Sequence, residues 1–222
     1  MTPFSETAGP PSRRALERIL ARVEAEVAQT YGPLGDLGIA IVTAAWDTQQ
    51  RLGPAFGFSS SGRPSMPQML LQYELLYFFS HLTLRTAFAE GFTGAQIGKL
   101  QTFLGPLIVS TAVDSFCLHW PEDLKKKMRS EVYERLNYAE MEYAECMSLS
   151  DPDDPLNRGT LIGRLATNAM ALWDRAPDDP AASKVAVATT ETFLAMGLKE
   201  HVRDAAQVVD RVDVATIEAW KL

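Results

Sequence analysis

The chain has 222 residues, 46% of them hydrophobic and 22% charged, with a formal net charge of −7. That is enough apolar material for a sizeable core, which excludes gross disorder. The acidic balance excludes non-specific nucleic-acid binding, which needs a positive field.

Residues 1–11, rich in Pro, Gly and small polar residues, read as a loose tail, and 12–222 as one helical domain. No basic segment followed by an apolar run opens the chain, so no secretory signal is expected. Ser12 is placed to cap a first helix over 13–31, whose apolar stripe is Leu16, Ile19, Leu20, Val23 and Val27. Gly32-Pro33 is read as its end. Asp36 is expected to cap a second helix to about Leu52, with Leu37, Ile41, Ala44 and Ala45 turned inward. The next 13 residues, 53–65, read as a loop that is long for a helical bundle.

Residues 66–91 predict one helix that is apolar nearly all the way round. At roughly 100° per residue, Glu74, His81 and Arg85 fall within about 40° of one another. Gln72, Thr83 and Glu90 make a second polar line on the opposite side. A surface helix needs one such line. One is expected to face water and the other protein, where ionisable groups need partners.

Gly91 stops that helix, and Thr93 caps a fourth to about Trp120, kinked at Pro106. Its segment 103–118 comes nearest to a membrane span, but Pro106 and Asp114 interrupt it, so none is expected. Pro121 with Glu122 and Asp123 opens a fifth helix to about Leu149. Asp154-Pro155 opens a sixth to about Arg175, and Asp179-Pro180 a seventh to about Asp210. A last segment, 212–222, is expected to extend the seventh or fold back through Ile217 and Trp220. The expected fold is all-α: a single-domain bundle of about seven helices, with a weak sub-boundary at 150–155.

The candidate chemistry centres on the helix 66–91. Two-metal carboxylate bundles use Glu-x-x-His pairs, and none occurs among His81, His119 and His201. Glu74 and His81 sit about 10.5 Å apart along the axis, too far to share an ion easily. No metal and no cofactor is therefore expected. His81 and Arg85, spaced i, i+4, are neighbours. Asp114 lies on the apolar face of its own helix, and hairpin geometry disfavours its pairing with Arg85. Glu74, His81, Arg85 and Asp114 are the candidate ligand-binding residues; the simpler expectation for them is a buried polar network that fixes helix register.

Tyr73, Tyr77, Phe78, Phe79 and Phe88 are expected in the core. Tyr133, Tyr138 and Tyr143, interleaved with glutamates, suit either a solvated face or a partner-docking one. The short basic run 125–127 reads as solvated. No Gly-x-Ser-x-Gly, Walker A or dinucleotide glycine motif occurs, and no catalytic residue is identified. Cys117 and Cys146 are placed too far apart to bridge, which fits a reduced, cytoplasmic setting.

Two functional expectations follow. The first is a cytoplasmic, non-catalytic bundle that binds a protein partner or itself, with Val202, Ala205, Val209 and Val212 as a possible subunit-packing stripe. The second is a small-ligand- or metal-binding bundle, potentially an enzyme, with an internal polar pocket on the helix 66–91.

Overall fold

The computed structural model describes residues 31–58, 65–117 and 120–211. The tail 1–11, nearly all of the helix expected over 13–31, His119 and the segment 212–222 lie outside them. The described residues form seven α-helices and no strand. They are α1 (Pro33–Phe56), α2 (Met66–Ala89), α3 (Gly94–Phe116), α4 (Glu122–Ala144), α5 (Leu161–Ala171), α6 (Pro180–Ala195) and α7 (Leu198–Ala206), followed by a 3-10 turn, Val209–Arg211.

The composition of α2 explains its place. It packs against α1, α3, α4, α5 and α7, so it has no solvent side for a polar stripe to occupy. Leu71, Leu75, Leu76, Phe78 and Phe79 are fully buried on several of its faces. The expectation that one polar line faces water is corrected here. Gln72 and Thr83 are as buried as the leucines, and Glu90 is the only member of its line near the surface, paired with Lys199 and Arg203 of α7. The helix absorbs its small hydroxyls internally: Ser80, Thr83 and Thr86 each donate to the carbonyl four residues back.

Several boundaries move for identifiable reasons. Gly32 is the break between helical Tyr31 and α1, as expected, and Pro33 opens α1, its missing N–H falling where no intrahelical partner exists. At its far end α1 continues through Gly53 and Pro54, where a loop was expected, and the N–H of Gly57 closes it on the Gly53 carbonyl. Aromatic packing rewards the extra turn: Phe56 stacks on Trp173 at 4.4 Å and on Phe58 at 5.8 Å, under the Arg175 guanidinium. Thr93 caps α3, as the sequence predicts, in a full capping box with Gln96, and Ser65 caps α2.

Helix α4 stops at Ala144 rather than about Leu149. Residues 145–160 turn back instead, and Thr160, not Asp154, caps α5 through the Gly163 N–H. This return is tight. A Cβ on Gly163 would stand 2.0 Å from the Asn157 carbonyl oxygen. The expected seventh helix is two helices, α6 and α7, because Gly197 between them takes the left-handed conformation at φ 59°.

The C-terminal stripe is also corrected. Val202, Ala205 and Val209 are fully buried within this chain, since α7 packs on α1 and α2 and the 3-10 turn on α3. They are not a free face for a second subunit.

Candidate functional site

Helices α2 and α4 run in the same sense, so residues further along one meet residues further along the other. Tyr77 donates to the Val132 carbonyl, His81 meets Glu140, and Arg85 meets the Cys146 carbonyl. This parallel register positions His81 and Arg85, while Glu74 is met from further along α4 by the long Tyr143 side chain.

Glu74 enters a network between α2, α4 and α5. The Tyr143 hydroxyl donates to its Oε1 at 2.6 Å, and the Asn168 amide donates to the same oxygen at 2.8 Å. The Asn168 amide also reaches Glu142 Oε1 at 3.1 Å, and Arg164 holds that oxygen at 3.3 Å. Burial pushes the Glu74 carboxyl above the usual carboxylate range. The hydrogen bonds from Asn168 and Tyr143 oppose that rise, the Glu142 charge adds to it, and the Arg135 charge opposes it. Burial, reinforced by the Glu74 charge, lifts the Tyr143 hydroxyl well above its ordinary value. Every member has a partner, so this is a closed network that joins three helices.

Arg85 ends on backbone. Its guanidinium donates to the carbonyls of Cys146 and Met147 at 2.8 and 3.3 Å. These carbonyls follow the last turn of α4, where a cation is favoured by the helix dipole. Asp114 stands apart from the other three. It is half-exposed and pairs with Arg129, which also binds Glu122 at 2.7 Å. The structure therefore brings Glu74 to the Tyr143 hydroxyl and His81 beside the Tyr143 ring, sends Arg85 to the carbonyls after α4, and leaves Asp114 elsewhere.

His81 leads to an opening. Its ring is buried at 3% exposure, 5.8 Å from the Tyr143 ring. Its Nδ1 lies 3.0 Å from Glu140 Oε1, outside hydrogen-bonding alignment, and its Nε2 has no partner. Glu140 lines a half-open cleft of about 350 Å³ between α2, α3 and α4. Leu84, Leu104, Ile108 and Leu136 supply apolar wall, and Ser80, Gln101, Thr102, Tyr133 and Asn137 supply neutral polar groups. Among the described residues, Glu140 is the only charged one in the lining.

Two glycines of α3 form part of the floor. Gly105 is explained by packing, since a Cβ there would meet the Tyr133 ring at 3.1 Å. Gly98 is not: a Cβ there would meet nothing within 4 Å. A glycine inside a helix costs about 0.5–1 kcal/mol relative to alanine; Gly98 is exposed, and nothing among the described residues crowds it. The cleft's walls also run out into exposed apolar side chains. Phe88 continues the Ser80–Leu84 face of α2 and is 75% exposed, against the expectation of a core residue. Met141 follows Asn137 one turn along α4 and is 71% exposed.

Other chemistries find little support. Among the described residues, no group of three His, Cys, Asp or Glu is gathered closely enough to hold a metal ion. No described helix is long and apolar enough to cross a membrane. Cys117 and Cys146 are buried and unbridged. Burial lifts both thiols, so neither is a ready thiolate. The interleaved tyrosines of α4 face three ways: Tyr143 inward, Tyr133 into the cleft, Tyr138 to solvent.

Sequence reasoning misses Asn168 and Gly98. Asn168 lies on a different helix from the stripe it completes, and Gly98 carries no local signal. Glu140 is visible in sequence only as one glutamate among several. Set against protein-family models, curated proteins and solved structures, the chain matches none of them.

Proposed function

We propose that this is a non-catalytic, protein-binding helical bundle that takes a helix of a partner protein into the α2–α3–α4 cleft. The observation that carries the reading is the cleft itself, walled by Leu84, Leu104, Ile108 and Leu136 with the exposed Gly98 at its edge. Glycine there lets another backbone approach closely. The floor from Gly98 to Ile108 is about 15 Å long at 1.5 Å per residue, enough for about three turns of a docked helix. Exposed Phe88 and Met141 extend the apolar contact at the rim. A cytoplasmic setting belongs to the same proposal and is supported by the two unbridged cysteines.

Photo-crosslinking in cells tests it, with a photoreactive amino acid at Gln101 on the lip and at Lys126 on the exposed side of α4. A discrete protein adduct is expected from position 101 only, and Gly98→Trp, which plugs the cleft, should abolish it. An adduct containing a second copy would make the partner this chain itself. Equal adducts at both positions, or none at 101, would refute docking at this cleft.

One observation favours a second reading. The cleft's volume of about 350 Å³ falls within the ~300–1,000 Å³ of small-molecule sites. A co-purifying small molecule in native mass spectra, displaced by Gly98→Trp, would support that reading instead.

A further inference from the structure

We infer that Glu74, Glu142 and Asn168 form a pH-sensitive latch that holds α5 on α2 and α4 in acid and lets it loosen as pH rises. The inference does not depend on the docking reading above.

The geometry of the shared amide carries it. One nitrogen, Asn168 Nδ2, donates to Glu74 Oε1 at 2.8 Å and to Glu142 Oε1 at 3.1 Å. Asn168 belongs to α5, Glu74 to α2 and Glu142 to α4, so three helices meet at a single neutral group bridging two carboxyls. Arg164 of α5 answers the Glu142 charge at 3.3 Å and also reaches Glu145 at 3.8 Å. Glu74 receives neutral donors instead, the Tyr143 hydroxyl and the Asn168 amide. A proton on Glu74 therefore leaves one charge at the junction, and its loss sets two like charges across one amide.

The surrounding groups fix the direction. Burial and the Glu142 charge raise the Glu74 carboxyl, against Asn168, Tyr143 and the Arg135 charge of α4. Among the groups that shift it, none comes from α1, α3 or α7. On its own helix, Tyr77 is acted on by Glu74, and His81 lies against the Tyr143 ring. When α5 lifts, Asn168 leaves and water reaches Glu74, which then ionises near the ordinary value of about 4.3. Between that value and the raised one of the closed form, opening becomes easier by up to about tenfold per pH unit, and then it levels off.

Native-state hydrogen exchange of the full chain, followed by NMR from pH 4 to 9, tests the inference. Protection factors remove the intrinsic base catalysis of exchange. Amides of α5 should be less protected than the most protected amides of α3, as a local opening requires. Their protection should fall by up to about tenfold per pH unit and then level. Glu74→Gln should remove that fall. Glu142→Gln alters a side chain that is 40% exposed, and it keeps the test decisive if the first variant does not fold. It removes the neighbouring charge, so the levelling point should move to lower pH. Protection of α5 equal to that of the most protected amides would show that α5 leaves only in global unfolding, and would overturn the latch. Protection independent of pH would overturn it too. A fall that persists in Glu74→Gln would assign the titration to another group, with His81 the first to examine. A levelling point unmoved by Glu142→Gln would break the coupling between the two carboxyls on which the inference stands.

Discussion

Replacing Tyr143 with Phe removes one oxygen from the interior and leaves the ring in place against Phe78 and His81. The lost hydroxyl donates to Glu74 at 2.6 Å. A hydrogen bond to a charged acceptor contributes about 1.5–3 kcal/mol, and a neutral one about 0.5–1.5 kcal/mol. Asn168 still serves the same Glu74 oxygen, so the expected loss at pH 8 is about 2 kcal/mol, near the low end of the charged range. The sign of the pH dependence follows from the direction of the shift. The folded-state pKa of Glu74 is raised, chiefly by burial, so its contribution is fully present below the unfolded pKa of about 4.3 and is lost as pH rises through the folded value. The Tyr143 hydroxyl opposes that rise. Without it the folded value climbs further, and the destabilising window widens. The deficit of Tyr143→Phe should therefore be about 1 kcal/mol near pH 4 and should grow with pH. Urea unfolding followed by far-UV circular dichroism, at half-unit steps from pH 4 to 8, measures it. A deficit that is constant across that range, or larger in acid, would refute the reasoning.

Arg85→Ala should cost about 1–3 kcal/mol, because two carbonyls after α4 lose a cationic donor; hydrogen exchange should quicken first in residues 145–149, and uniform exchange along the chain would count against the capping role. Gly98→Ala should raise stability by about 0.5–1 kcal/mol, since the helix gains propensity and the new methyl meets nothing. Gly163→Ala should do the opposite and lose about 1–3 kcal/mol or more, its methyl falling on the Asn157 carbonyl; a fall in melting temperature for Gly98→Ala, or a rise for Gly163→Ala, would contradict the respective assignment. Glu74→Gln keeps an acceptor for Tyr143 and Asn168 while removing a buried charge, so its stability at pH 8 should equal or exceed that of the parent, and a clear loss in urea unfolding would show that the ionised carboxylate is needed.

How much of this is legible in sequence depends on the range of the interaction. The centrality of α2 is legible, because a segment apolar on every side has to be covered on every side. Caps are legible at Ser65 and Thr93, where the partner lies within three residues. The fate of Glu74 is not, since Tyr143 and Asn168 reach it from 69 and 94 positions away. Glu140 illustrates a different obstacle. Helix α4 is charged nearly all round, so its sequence pattern does not say which glutamate faces α2; the parallel register of α2 and α4 decides that. Pro33 and Pro155 show a third. Proline at a helix start and proline in a turn look alike until Gly32 on one side and the Asn157–Gly163 contact on the other determine the chain path. Gly197 is similar, since a lone glycine in a helical pattern is tolerated as often as it breaks.

The enclosure of α2 also has a consequence during synthesis. Apart from α1, the helices that surround it are made later, and α7, which covers one of its sides, begins about 110 residues after α2 ends. At roughly 5–20 residues per second, α2 waits on the order of 5–20 s for that cover. Throughout that interval a 24-residue, nearly all-apolar rod is incompletely wrapped, which makes the emerging chain a natural client for chaperones that hold nascent hydrophobic segments.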